Sequence, residues 1–148
     1  MKKIILVAAM VLGFAVAASA QPRAVGLHGS LGVGLSYQHT LGENFVEAEV
    51  GFAKKSFCAT GVYNWTLLEP AWTNKGEWGV YAGPAATVGF FKGGALLGVG
   101  GRIGLEYTFW FPLQLSVDLT PQLNATMTKG GGLAFGGYIP SLGVRYRF

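Results

Sequence analysis

Tyr138-Ile-Pro-Ser-Leu-Gly-Val-Arg-Tyr-Arg-Phe148 closes the chain, and its alternation governs how everything before it is read. Tyr138, Pro140, Leu142, Val144, Tyr146 and Phe148 fall on one parity. Ile139, Ser141, Gly143, Arg145 and Arg147 fall on the other. Successive side chains of a strand point to opposite faces, so the segment has an apolar face and a mostly polar one. In a soluble sandwich the apolar face is the core and the arginines meet water. In a membrane barrel the apolar face meets lipid and the arginines point into the lumen.

The opposite end of the chain favours the second reading. Met1-Lys2-Lys3 is a short basic start, Ile4 to Ala17 is almost uninterruptedly apolar, and Ala18-Ser19-Ala20 is a small-x-small cleavage site. That layout is a secretory signal peptide over 1–20. The run is shorter than the roughly 20 apolar residues of a membrane anchor. The mature domain is then 21–148, a single barrel domain. Losing Lys2 and Lys3 lowers the net charge from +4 to about +2, so the basic balance gives no reason to expect a nucleic-acid partner. Cys58 is the one cysteine, which excludes an internal disulfide.

Charged residues make up 12% of the chain and hydrophobic ones 51%, whereas soluble domains carry about 25% charged residues. After Ala20 no apolar stretch is long enough to span a bilayer as a helix. An exported, apolar chain without such helices points to an all-β fold, an eight-stranded antiparallel up-and-down transmembrane β-barrel. Strand-period reading places its strands at about 23–29, 31–41, 44–53, 56–67, 77–90, 95–109, 112–121 and 137–148. A tight turn at His28-Gly29-Ser30 divides the first two, and an outer loop runs from Gln122 to Phe135. The even count leaves both termini at the periplasmic end. Trp65, Trp72, Trp78 and Trp110 then gather at that end, and Phe52, Phe57, Phe90 and Phe135 at the other, as two aromatic girdles.

Nearly every strand charge falls on the inward parity. A lumen network of Glu47, Glu49, Arg102, Glu106, Asp118, Arg145 and Arg147 is expected, joined by His28, Gln38, Asn64 and Gln114. Four acids against three arginines suits pairing, because the guanidinium fork can bridge carboxylates. Since eight strands enclose an interior just wide enough for side chains, a plug is expected in place of an open pore. The inward glycines Gly32, Gly34, Gly83, Gly98, Gly100 and Gly104 pull the other way, toward a narrow crevice.

Several segments together resemble small outer-membrane β-barrel proteins of the Bacteroidetes type, similar in architecture to the OmpA/OmpX-type eight-stranded barrels. They are the leader, Ala24-Val-Gly-Leu-His-Gly-Ser, Leu35-Ser-Tyr-Gln-His39, Phe111-Pro-Leu-Gln-Leu-Ser-Val-Asp118 and Gly143-Val-Arg-Tyr-Arg-Phe148. The resemblance covers essentially the whole mature chain. It implies a place in the outer membrane of a Gram-negative cell and a fold. It carries over no catalytic residue. It also implies that Tyr146 and Phe148 form the terminal signal read by the barrel-assembly machinery.

Catalysis, metal and cofactor binding find little in the sequence. His28-Gly29-Ser30 matches the His-x-Ser pair of lipid A deacylases, and a base beside a hydroxyl suits nucleophilic chemistry. The pair lies on the lumen parity, however, with no carboxylate assigned to the imidazole. The two histidines and one cysteine lack metal-ligand spacing, and no cofactor motif is present. Lys54, Lys55, Lys92 and Lys129 fall in outer turns and are candidates for contacting lipopolysaccharide phosphates. The expectation is a non-enzymatic, monomeric outer-membrane protein in contact with lipid and lipopolysaccharide, with a structural or surface-interaction role. A narrow porin-like channel is the alternative, and a lipid A-modifying enzyme a second. A soluble lipocalin-like barrel would need its apolar face inside.

Overall fold

The computed structural model describes residues 3–5, 22–29, 32–53, 55–128, 130–136 and 140–148. The leader beyond 3–5, and with it the cleavage site, lies outside the described residues, as do Ser30, Lys54, Lys129 and Tyr138.

Ten strands form one antiparallel sheet: β1 (Pro22–Gly29), β2 (Val33–Leu41), β3 (Asn44–Ala53), β4 (Ser56–Leu68), β5 (Glu77–Phe91), β6 (Gly94–Thr108), β7 (Leu113–Leu119), β8 (Gln122–Met127), β9 (Leu133–Gly136) and β10 (Ser141–Arg147). Consecutive pairing runs from β1 to β7, β10 joins β7, and β1 pairs with β10, which closes the cylinder. The wall therefore has eight positions. β7 and β8 share one, because both pair with β6 in a continuous register (Ile103 with Leu119, Gly100 with Gln122). Pro121 has no N–H to give the ladder, yet its carbonyl still accepts from Gly101 N–H at 3.1 Å. β9 and β10 share the eighth position.

This corrects the expected outer loop over 122–135. Most of it is the hairpin β8–β9, in which Leu123 faces Phe135 and Ala125 faces Leu133. The sequence concealed it because Pro121 and the run Gly130-Gly-Gly132 read as strand breakers. The expected eighth strand, 137–148, begins instead with β9, and residues 137–139 lie outside the described residues.

Register fixes the shape. Paired residues trace a path around the wall from Leu97 through Val88, Ala59, Val50, Leu35, Leu27, Val144 and Leu115 to Tyr107. The path returns to β6 ten residues from its start. A shear of that size on eight strands demands a steep tilt, about 40°. The turns agree with the map. Gly42, at φ 65°, makes the two-residue β2–β3 hairpin, and Gly93, at φ 104°, the β5–β6 hairpin. The longer connection from Glu69 to Gly76 lies at the same end as both termini.

The two faces of the wall are opposite in kind. Inside, Arg102 is 4% exposed, Arg145 1%, and Gln38, Asn64 and Gln114 are fully buried. Outside, Val144 is 50% and Tyr146 53% exposed, with Leu27, Leu35, Val99 and Ile103 more than half exposed. Phe45, Val62 and Tyr81 are the large apolar side chains that turn inward. A lipocalin-like interior would reverse this order.

Candidate functional site

The lumen side chains form tiers. Lowest is Arg23, which the sequence reading missed. Strict alternation would send it outward beside Val25. A register shift between Pro22 and Ala24 makes a bulge there, which turns Arg23 inward. Its guanidinium pairs with Glu106, donates to Gln38 Oε1 at 2.5 Å and lies 3.8 Å above the centre of the Phe45 ring. Gln114 donates to the same Glu106 carboxylate.

Gln38 links this tier to the next, donating through Nε2 to Glu47 Oε2 at 2.7 Å. Glu47 is the hub. Its Oε1 receives Arg145 Nη2 at 2.5 Å and Ser36 Oγ at 2.8 Å, and Arg102 Nη1 stands 3.4 Å away. Each nitrogen of the Arg145 guanidinium donates, Nε to Ser36 at 2.8 Å and Nη1 to Ser116 at 2.7 Å beside the Nη2 bond to Glu47. A buried guanidinium is tolerable only when its donors are used in this way.

The upper tier is built on Arg102. It clasps Glu49 through two donors at 2.6 and 3.0 Å, and its Nε donates to Thr120 Oγ1 at 2.9 Å. His28 lies between two carboxylates, with Nδ1 3.0 Å from Glu49 and Nε2 3.0 Å from Asp118. The sequence left His28 without a carboxylate. The shear brings two to it, each from a strand one beyond its neighbours. Asp118 also accepts from Tyr81 Oη at 3.0 Å.

Glu47, Glu49, Arg102, Glu106, Asp118 and Arg145 thus meet in one connected set. Arg147 points inward as well but joins no ion pair among the described residues, and its Nη1 has no partner there. Gly32 and Gly34 border open space at the upper end of the lumen, whereas other inward glycines are filled over. A side chain at Gly104 would strike the Tyr81 ring, and one at Gly98 would meet Asn124 and Gln122. These glycines are covered by larger neighbours lying across them.

Folding also draws His28, Glu47 and Glu49 together so that one ligand-type atom of each lies within 4.8 Å of the others, which spacing along the chain did not show. Those carboxylates are engaged by Arg102 and Arg145, so the group reads as part of the ion-pair network.

The tiers separate two cavities. The upper one, about 350 Å³, is floored by His28, Glu49 and Arg102 and walled by Thr60, Thr87 and Gln122. The lower one, about 420 Å³, is lined by Arg23, Asn44, Glu69 and Arg147. Lys55 and Lys92 are exposed in turns at the upper end, Lys55 at φ 66°. At the lower end Trp72, Trp78, Tyr107, Phe109 and Trp110 form a chain of ring contacts at 4.6–5.7 Å, and Tyr146 and Phe148 touch at 5.3 Å.

Comparison with protein-family models, curated proteins and solved structures finds no match for the chain. The fold and the site alone define its class: a closed, eight-stranded antiparallel β-barrel with a polar interior, consistent with an OmpA/OmpX-like barrel.

Proposed function

We propose that the chain is an integral outer-membrane β-barrel protein of a Gram-negative cell, of the Bacteroidetes type, exported by a cleaved leader and without enzymatic activity. Its sidedness carries this reading. An apolar outer belt over a charged, internally paired lumen is stable in lipid and costly in water. The belt has a suitable height. From Trp78 to Phe90 on β5, at about 3.3 Å per residue and a tilt of about 40°, the wall rises roughly 30 Å, close to a hydrocarbon core. Aromatic side chains sit at both limits, as interfaces favour.

Its role is structural, or one of surface contact. Lys55 and Lys92, together with Lys54 and Lys129, meet lipopolysaccharide phosphates, and Tyr146 and Phe148 are the handle for the barrel-assembly machinery. A closed wall needs no second subunit, so the protein acts as a monomer. Both ring nitrogens of His28 face carboxylates, which leaves neither free to take a proton from a hydroxyl, and this supports a non-catalytic reading.

One observation favours the alternative of a narrow channel. Asn64 is fully buried and its amide has no protein partner among the described residues, as a wet path between the cavities would allow. Fractionation of cells followed by a gel of unheated and boiled samples tests the main reading. A heat-dependent shift in the outer-membrane fraction is expected; a soluble periplasmic protein without one overturns it. Large, steady conductance steps in planar bilayers would select the channel.

A further inference from the structure

The upper cavity does not stop at the lumen. Among its lining residues are Val33 and Phe52, which are 63% and 57% exposed on the outer face, along with the inward His28, Glu49 and Arg102. Residues whose side chains stand on the outer face thus border the cavity. The rim explains how. β1 ends at Gly29, which pairs with Leu142. Above this pair β9 pairs with β8 on one side and with no strand among the described residues on the other. Leu142 lies opposite Val117 and Leu133 opposite Ala125, eight residues further along β7 and β8, so at about 3.3 Å per residue and about 40° of tilt the β8–β9 hairpin stands roughly 20 Å above that pair. The wall is therefore lower where β1 and β2 end than at the β8–β9 hairpin, and the cavity lies beside this low edge.

The chemistry of the cavity selects what fits. Its charged floor is already neutralised, with Arg102 on Glu49 and His28 between Glu49 and Asp118, so an ionic ligand would have to break an existing pair. The walls offer hydroxyls and an amide instead. Thr60 and Thr87 share a hydrogen bond at 2.9 Å, and Thr87 donates to Gln122 Oε1 at 3.1 Å. Such groups both donate and accept, which matches neutral hydroxyls. At about 350 Å³ the space suits a single sugar-sized head.

We propose that this cavity holds the uncharged, hydroxyl-bearing headgroup of an amphiphile from the outer leaflet, with its chain leaving over Val33 and Phe52. The inference rests on the membrane reading above. Cys58, the single cysteine, lines the cavity and reports on it.

The experiment uses the full mature chain in dimethyldodecylamine oxide micelles. Alkylation of Cys58 by a small neutral maleimide is timed with octyl glucoside, with free glucose, or with an octyl detergent of zwitterionic head. Octyl glucoside alone should slow alkylation about tenfold, the effect of a site about nine-tenths occupied. Thr87→Val should abolish that protection, and Thr60→Val serves the same end if the first variant does not fold. Equal protection by free glucose overturns the amphiphile half of the proposal. Equal protection by the zwitterionic detergent overturns the headgroup half. No protection in a sample that keeps its heat-dependent gel shift overturns the inference and leaves the barrel reading standing. Loss of the shift itself brings down both.

Discussion

Arg145 on the last strand meets Glu47 on the third at 2.5 Å, in a pair with no solvent exposure on either side chain. The two residues lie 98 positions apart in the chain. Removing one partner strands a charge in the lumen, so Arg145→Met should lower stability by about 3–5 kcal/mol. The double variant Arg145→Met, Glu47→Met should recover most of that loss, since replacing both partners with apolar groups is commonly near neutral. Urea titration of the barrel in vesicles, followed by the gel shift, measures both.

Arg102 is the residue that holds the upper tier shut. It spans Glu49, Glu47, Asp118 and Thr120. Arg102→Ala removes the cation shared by those three carboxylates and leaves Glu49, which lines the upper cavity, to His28. In planar bilayers the variant should conduct more than the parent and should prefer cations. A variant that conducts no more than the parent would place the barrier lower, at Arg145 and the Phe45–Tyr81 ring pair.

Leu35 projects from the outer face and is 59% exposed. Leu35→Arg should cost about 2–4 kcal/mol if that face meets lipid. On a soluble barrel the same change at an exposed position would be nearly neutral, within about 0.5 kcal/mol. Unfolding free energies of the two chains in vesicles separate these outcomes.

Gly104, which faces the lumen, and Gly61, which is exposed on the outer face of β4, contrast the packing on the two sides of the wall. A methyl group at Gly104 runs into the Tyr81 ring, whereas one at Gly61 meets nothing within 4 Å. Gly104→Ala should destabilise by about 1–3 kcal/mol through overpacking. Gly61→Ala should be neutral or slightly favourable, because it reduces the freedom of the unfolded chain. Thermal midpoints of the gel shift compare them.

Phe148 is 63% exposed at the lower rim and touches only Tyr146 among the ring contacts there. Phe148→Ala should leave the unfolding free energy of refolded protein almost unchanged. The amount of barrel recovered from cells should nevertheless fall, if this ring is read during assembly. Quantitative immunoblots of membrane fractions, set against refolding yield in detergent, check the difference.

Parity carried far in this chain. Val144, Tyr146 and Arg145 can be assigned to faces from alternation alone, and the inward set apart from Arg23 follows from the same rule. What alternation cannot supply is an interruption of itself or a contact across the lumen. Arg23 was missed because a bulge reverses its side, and no residue type near Pro22 announces that. The carboxylates around His28 were missed because Glu49 and Asp118 reach it over intervening strands, at heights set by the shear. The β8–β9 hairpin was read as loop because Pro121 and three consecutive glycines outweigh six residues of weak strand character.

The seam between the first strand and the last has a temporal consequence. Ala24 pairs with Arg147, and Gly29 with Leu142. That union cannot form until β10 has been synthesised, however early the local hairpins appear. Contacts so distant along a chain form slowly and leave sticky surface uncovered meanwhile. A barrel sealed in this manner keeps its two boundary strands open until the parts of the chain farthest apart in sequence have met.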